Sequence, residues 1–240
     1  MASSPEPSIW TRPAPLPRRR SLSREAIVVA AVQVADQGGV DALTMQAVAR
    51  TLGEFTPMSL YRYVYSKEGL IDLMLERVLA EIELPPAAGD DWRVAVFDLE
   101  RATWAALQRH PWYARLVHTR PPLGPNALRR TEFLLGIFRG LGTDLGAAMG
   151  YLSLVERLVI GMALQASTEA QAQPQADFTT AAGAADAIAP LVQLTRTTDA
   201  YPNLAEWAQS PSGPNPTEQL ELGLTMFLDG IAARYPSPPR

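Results

Sequence analysis

Residues 44–75 read TMQAVARTLGEFTPMSLYRYVYSKEGLIDLML, and two short helices with a tight break between them are written into that stretch. Met45, Val48, Ala49 and Leu52 recur at helical spacing, which predicts a first helix over 44–52. Gly53 ends it, because glycine tolerates the left-handed backbone that closes helices. Thr56 then offers a side-chain oxygen to a new helix start, and Pro57 takes the first helical position, where its missing N–H costs nothing. This second helix is predicted over roughly 57–64. Leu60 and Val64, four residues apart, share its inner face, and Phe55 is placed to pack on Leu60. The outer face carries Ser59, Arg62 and one or both of Tyr61 and Tyr63. A short polar and aromatic helix behind a tight turn is what a helix-turn-helix presents to a DNA major groove.

The run Leu60-Tyr61-x-Tyr63, then Ser66-Lys67-x-x-Leu70, preceded by Leu43-Thr44-Met45-x-x-Val48-Ala49 and Leu52-Gly53, resembles the DNA-binding domain of the tetracycline-repressor (TetR) family of bacterial transcription regulators. The likeness reaches back to about Ser23. One departure stands inside it: three residues, Glu54, Phe55 and Thr56, separate Gly53 from Pro57 where the family usually has about two. The resemblance implies an all-α protein, with a three-helix DNA-binding domain followed by a helical ligand-binding and dimerisation domain.

Composition fits this picture. The chain has 240 residues, 47% hydrophobic and 19% charged, as a globular protein does. It lacks cysteine, which excludes disulfides, thiolate zinc sites and cysteine nucleophiles. No uninterrupted apolar run is long enough to span a bilayer, and no apolar stretch follows the N-terminal arginines, so neither a membrane segment nor a secretory signal is expected and the expected location is cytoplasmic. The net charge of −4 is unevenly spread: residues 1–67 carry eight Lys/Arg against five Asp/Glu, and residues 68–240 carry thirteen against twenty. The basic portion coincides with the helix-turn-helix, as an electrostatic footprint for phosphate requires. Two histidines, no glycine-rich phosphate loop and no metal-ligand pair on a helix leave nothing on which to build an enzyme.

Three regions follow. Residues 1–22, rich in Pro and Ser with Arg12 and Arg18-Arg19-Arg20, are expected to form a disordered basic arm, either a plain tail or one that reaches phosphate or a minor groove. Residues 23–84 form the DNA-binding domain. Its first helix runs from about Arg24 to Gln37, capped by Ser23, stapled by Leu22 on Ile27 and stopped by Gly38-Gly39; its last is a linking helix from Lys67 to about Ile82, with Leu70, Leu73, Met74, Arg77 and Val78 facing inward. Residues 91–240 form the regulatory domain, with helices over 92–109, 112–119, 126–141, 145–167, about 185–196 interrupted at Pro190, 203–209 and about 216–235, and a loop over 168–185. The segments near 149–164 and 217–235 are apolar nearly all round, which marks burial in a core or at an interface. They stand where the family packs its homodimer bundle.

Candidate DNA contacts are Thr44, Gln46, Thr56, Pro57, Met58, Ser59, Tyr61, Arg62, Tyr63 and Lys67. Thr44 can hold a phosphate at a helix start and cap that helix together. Arg62 has the fork for guanine O6 and N7, or for phosphate. The resemblance makes Tyr61 a backbone contact and Lys67 a phosphate anchor, while Tyr63 either touches DNA or packs on its own domain. A dimer would set its reading helices about 34–36 Å apart on a near-palindromic double-stranded operator. For an unidentified small-molecule effector, the candidate lining is Trp104, Leu107, His110, Trp112, Phe133, Ile137, Tyr151, Val155, Arg157 and Met162, each also readable as ordinary core. Glu156 and Arg157 are expected as a buried pair serving either the ligand or the dimer. Val117–Pro121 resembles a Thr-Arg-Pro stretch of the family's tetracycline sensor, but the place of that protein's metal-binding histidine falls here on Leu116, so no metal and no cofactor is predicted. The other open reading is a DNA-binding regulator controlled by a protein partner instead of a small molecule.

Overall fold

The computed structural model describes residues 9–11, 22–53, 55–172, 181–195, 200–209 and 215–235. Among them are eleven α-helices and one 3-10 turn, and no strand. Local sequence chemistry sets the first four helices. In α1 (Arg24–Ala42), Ser23 Oγ accepts from the Ala26 N–H at 3.0 Å, with Leu22 and Ile27 buried as the staple. Gly39, at φ 69°, breaks the helix where the glycine pair predicts it. Thr44, Thr56 and Ser66 each cap the next helix through their hydroxyl oxygens, giving α2 (Met45–Thr51), α3 (Pro57–Val64) and α4 (Lys67–Leu79). The longer turn between α2 and α3 leaves α3 in register, because Leu60 and Val64 are both fully buried. Glu54, within that turn, lies outside the described residues. Arg77 is exposed and pairs with Glu25 at 3.8 Å instead of facing the core.

The regulatory part comprises α5 (Trp92–Arg109), α6 (Trp112–Thr119), α7 (Pro125–Gly140), α8 (Leu145–Ala172), α9 (Ala181–Thr195), α10 (Pro202–Gln209) and α11 (Pro216–Arg234). Helix α8 packs on α5, α6, α7 and α11, and α9 packs on α10. One cluster of buried apolar side chains runs from Leu22 to Ile231, so both halves share a core. At α11, Asn215 and Glu218 form the reciprocal capping box that the sequence spells out.

Three expectations need correction. The loop expected over 168–185 is shorter: α8 continues to Ala172 and α9 already begins at Ala181, running through Pro190 without a break. Residues 173–180 lie outside the described residues. The N-terminal arm is not wholly without structure, since Ile9–Thr11 forms a 3-10 turn with Ile9 buried. Ile9 and Trp10 form a bulky apolar pair in an arm otherwise rich in Pro, Ser and Arg, and they seat against Gly69 and Gly124. The remaining arm residues, 1–8 and 12–21 with their arginines, lie outside the described residues.

Helix α7 lacks a capping side chain of its own, because Gly124 precedes it. Glu76 of α4 supplies one: its carboxylate accepts from the Asn126 and Ala127 N–H groups. A Cβ on Gly124 would lie 2.7 Å from the Trp10 ring and would strike the Glu76 carboxylate. This cap crosses from the linking helix to the regulatory domain. Replacing Glu76 with alanine removes it and is expected to lower stability by about 1–2 kcal/mol, read as a shifted urea midpoint at unchanged slope.

Candidate nucleic-acid interface and regulatory cavity

The outer face of α3 follows from its register. With Leu60 and Val64 inside, Met58 is 75% exposed, Tyr61 and Arg62 point to solvent, and Pro57 and Ser59 are half-buried. Ser59 donates its hydroxyl to the Thr56 carbonyl at 2.6 Å. Thr44, Gln46, Thr56 and Lys67 are exposed at the starts of α2, α3 and α4. Among the described residues no ion pair engages Arg62 or Lys67. Tyr63 is half-buried and packs against the core, and its carbonyl accepts from Arg24 Nε at 3.1 Å. The Arg24 guanidinium also sits 6.0 Å from the centre of the Tyr65 ring. Arg24 thereby ties the start of α1 to the end of α3, and Tyr65 closes α3 at φ 64°, a left-handed backbone unusual for a bulky residue.

Behind this face the domain junction is polar. His110, at the end of α5, is buried between two carboxylates: Nδ1 lies 2.7 Å from Asp36 of α1 and Nε2 lies 3.2 Å from Glu81 just past α4. Trp112 Nε1 donates to the same Asp36 oxygen at 2.6 Å, and Arg109 donates to Glu81 at 3.2 Å. Arg120 pairs with Asp72 of α4 through two nitrogens. A polar set therefore fastens α1 and α4 to α5 and α6.

Inside the regulatory half lies a cavity of about 170 Å³ between α4, α5, α6, α7 and α8. Apolar side chains from Leu79, Val117, Val159 and Ile160 form much of its wall, with Glu100, Arg130 and Glu156 as its charged members. Arg130 Nη2 donates to Glu100 Oε1 at 2.6 Å, and Nε lies 3.5 Å from Glu156 Oε1. Burial raises the Glu100 and Glu156 carboxyls above their ordinary value, against the opposing pull of Arg130.

None of the ten residues expected to line a pocket borders this cavity. Leu107 and Trp112 border a more open cleft of about 280 Å³ between α1, α5, α6 and α8. Trp104 donates its indole N–H to Thr217 of α11 at 3.0 Å, His110 serves the junction, and Tyr151 meets Tyr235 at 3.4 Å between hydroxyls. Ile137 and Val155 are buried core, and Phe133 and Met162 pack half-buried against it. Arg157 is exposed, so the expected buried Glu156–Arg157 pair does not exist; Glu156 pairs with Arg130 instead.

Two family sequence profiles match the chain: "Bacterial regulatory proteins, tetR family" over residues 27–74, and "Tetracyclin repressor-like, C-terminal domain" over 84–235. The chain belongs to the TetR family. It is 34% identical over 212 residues to the HTH-type transcriptional repressor DrrR1 of Streptomyces coeruleorubidus, covering 88% of this chain and 77% of that one. It is 30% identical to the class A tetracycline repressor protein from transposon 1721 in Escherichia coli, covering 89% and 92% of the two chains. Among solved structures it is similar to ActR of Streptomyces coelicolor in complex with actinorhodin, at TM-score 0.75 and 28% identity over 90% of this chain and all of that one. These TetR relatives are transcription regulators, not enzymes.

Several residues of this TetR chain that build the junction and cavity escape a reading of the sequence alone. Glu100 and Arg130 do carry a signal, each being a charge set into the apolar stripe of its helix. Asp36, Asp72, Glu76 and Glu81 carry none, because their partners lie many residues away.

The junction also has a pH signature. Partial burial opposes ionisation of Glu81, but hydrogen bonds from His110 and Arg109 outweigh it and hold the carboxyl below its ordinary value. A carboxyl lowered by folding contributes stability above the ordinary range, near 4.3 for a free glutamate, and that contribution is lost as pH falls through the folded value. Stability of the native chain is thus expected to drop more steeply on acidification below about pH 5 than that of Glu81→Gln, measured by thermal melts across pH.

Proposed function

We propose that the protein is a homodimeric, ligand-controlled repressor that binds a near-palindromic operator and leaves it when a small molecule occupies the regulatory half, and that it works in the cytoplasm. The observation carrying the DNA reading is the α3 register: Leu60 and Val64 lock one face into the core and leave Met58, Tyr61 and Arg62 free, with Lys67 exposed beside them. In this reading Arg62 and Met58 meet base edges. Thr44, Gln46, Thr56, Pro57, Ser59, Tyr61 and Lys67 hold the backbone. Tyr63 is the weakest of the ten candidates, since its ring is already partly packed.

The dimer reading has a separate support. Over Leu145–Glu169, α8 is apolar and long enough to cross a membrane, and an 18-residue segment of it has mean hydropathy 1.5, yet only 28% of that segment is buried within the chain. Leu145, Met149 and Leu154 of α8 and Leu222 and Met226 of α11 lie exposed. Gly150, Gly161 and Gly230 have open space beside them, which lets another backbone approach closely. A second copy packing α8 and α11 into a four-helix bundle covers this surface, and the pairing of Glu156 with core Arg130 suits a helix in a protein interior better than one in lipid.

Ligand control draws on the ActR–actinorhodin complex and on the cavity against α4. An occupant there bears on the linking helix, whose swing would take the two reading helices out of step with successive grooves. Selection of bound duplexes from a randomised DNA pool tests the core of this reading. A single near-palindromic consensus is expected, and recovery of DNA without any shared sequence would refute it.

A further inference from the structure

Two residues bordering the cavity of about 170 Å³ each carry a polar atom with nothing to bind. Glu100 is fully buried and Arg130 is 6% exposed. Glu100 Oε2 and Arg130 Nη1 have no hydrogen-bond partner among the described residues. Both residues line the cavity. A buried acceptor and a buried donor left unmade each cost free energy, more so when charged, and water or a ligand must meet them. Acidic side chains also outnumber basic ones there. Two carboxylates, Glu100 and Glu156, face one guanidinium, and the rest of the wall adds only the hydroxyls of Thr103, Tyr113 and Thr131 among apolar side chains. An incoming carboxylate would meet two acidic side chains and a single cation at the site. An ammonium would donate to the free Glu100 oxygen and balance the second carboxylate.

Resting on the ligand-controlled reading above, we propose that the effector is an organic cation: a compact apolar body that places a protonated amine on Glu100 Oε2 and a neutral oxygen acceptor on Arg130 Nη1. The apolar wall of Leu79, Val117, Pro121, Pro122, Val159 and Ile160 takes the body. Arg130, held between its two glutamates, orients the oxygen.

Three probes that share a phenyl ring and a benzylic hydroxyl test this: 2-amino-1-phenylethanol, 1-phenylethane-1,2-diol and mandelate, differing at the neighbouring carbon as ammonium, hydroxyl and carboxylate. Each is titrated against the full-length protein at neutral pH by calorimetry and thermal shift. The amine is expected to bind at least about tenfold more tightly than the diol, with mandelate weakest. Glu100→Gln is expected to erase the preference of amine over diol. The ranking of the three probes on the native chain needs no variant, so it decides even where Glu100→Gln fails to fold. The proposal is overturned if diol or mandelate binds as well as the amine, if none of the three binds at millimolar concentration, or if Glu100→Gln folds and keeps the preference. Operator release is measured in parallel. Amine binding that leaves DNA bound upholds the cavity chemistry and tells against the effector role; mandelate binding that releases DNA upholds ligand control and overturns the cation.

Discussion

Arg62→Ala combined with Lys67→Ala is expected to abolish specific operator binding under physiological salt while leaving the fold intact. A bidentate arginine–guanine pair discriminates by about 1–3 kcal/mol, and a symmetric dimer loses it twice, so Arg62→Ala alone lowers specific affinity by roughly 30- to 10⁴-fold. Lys67→Ala removes one phosphate contact per protomer and should reduce the slope of log affinity against log salt by about 1.8 for the dimer. Both side chains are exposed, so the double variant should unfold within about 0.5 kcal/mol of the native chain. Fluorescence anisotropy over a salt series separates the two contributions. If Arg62→Ala weakens all DNA sequences equally, its guanidinium serves phosphate; if it relaxes preference at one operator position, it reads a base. Undiminished binding by the double variant would remove α3 from the interface.

The second large effect belongs to the apolar face of α8 and α11. Leu154→Glu places a carboxylate where the proposed bundle closes, and Leu222→Glu does the same from α11; both leucines are about half exposed in the single chain. Withdrawing one buried leucine costs about 2 kcal/mol, and symmetry applies the change to each protomer, so either substitution raises the dimer dissociation constant by roughly a thousandfold before the cost of the charge is added. Sedimentation velocity should show a monomer, with operator affinity falling in step because one reading helix holds only half a site. The monomer's helicity should persist, since neither side chain belongs to the buried core. A variant that stays dimeric would place the interface elsewhere.

What sequence reading captured and missed follows from the range of the interactions. The caps at Ser23, Thr44, Thr56, Ser66 and Asn215 act over three residues, so helix starts are written locally and α2, α3 and α4 fall where the spacing places them. The cavity is different. Its wall is drawn from five helices, and no periodicity within one helix tells which inward residue meets a void and which meets a neighbour. Glu156 shows the same limit: adjacent residues on a helix point about 100° apart, so Arg157 turns to solvent while Arg130, on another helix, completes the pair. Glu76 caps a helix that begins some fifty residues later, a contact set by tertiary packing. The arm's Ile9-Trp10 pair was a legible apolar signal, outweighed in composition by the prolines, serines and arginines around it.

The most direct measurement of ligand-controlled DNA release is the distance between the two reading helices in solution. The chain has no cysteine, so Thr51→Cys, exposed at the end of α2 and outside the ten candidate contacts, accepts one spin label per protomer. Pulsed dipolar spectroscopy on the operator complex should give one narrow distribution, as reading helices held one helical turn apart, about 34–36 Å, require. Saturation with the compound giving the largest thermal shift should move that distribution as DNA is released. No distance between protomers would contradict the dimer, and release of DNA with an unmoved distribution would contradict the swing of α4 as the link between cavity and groove.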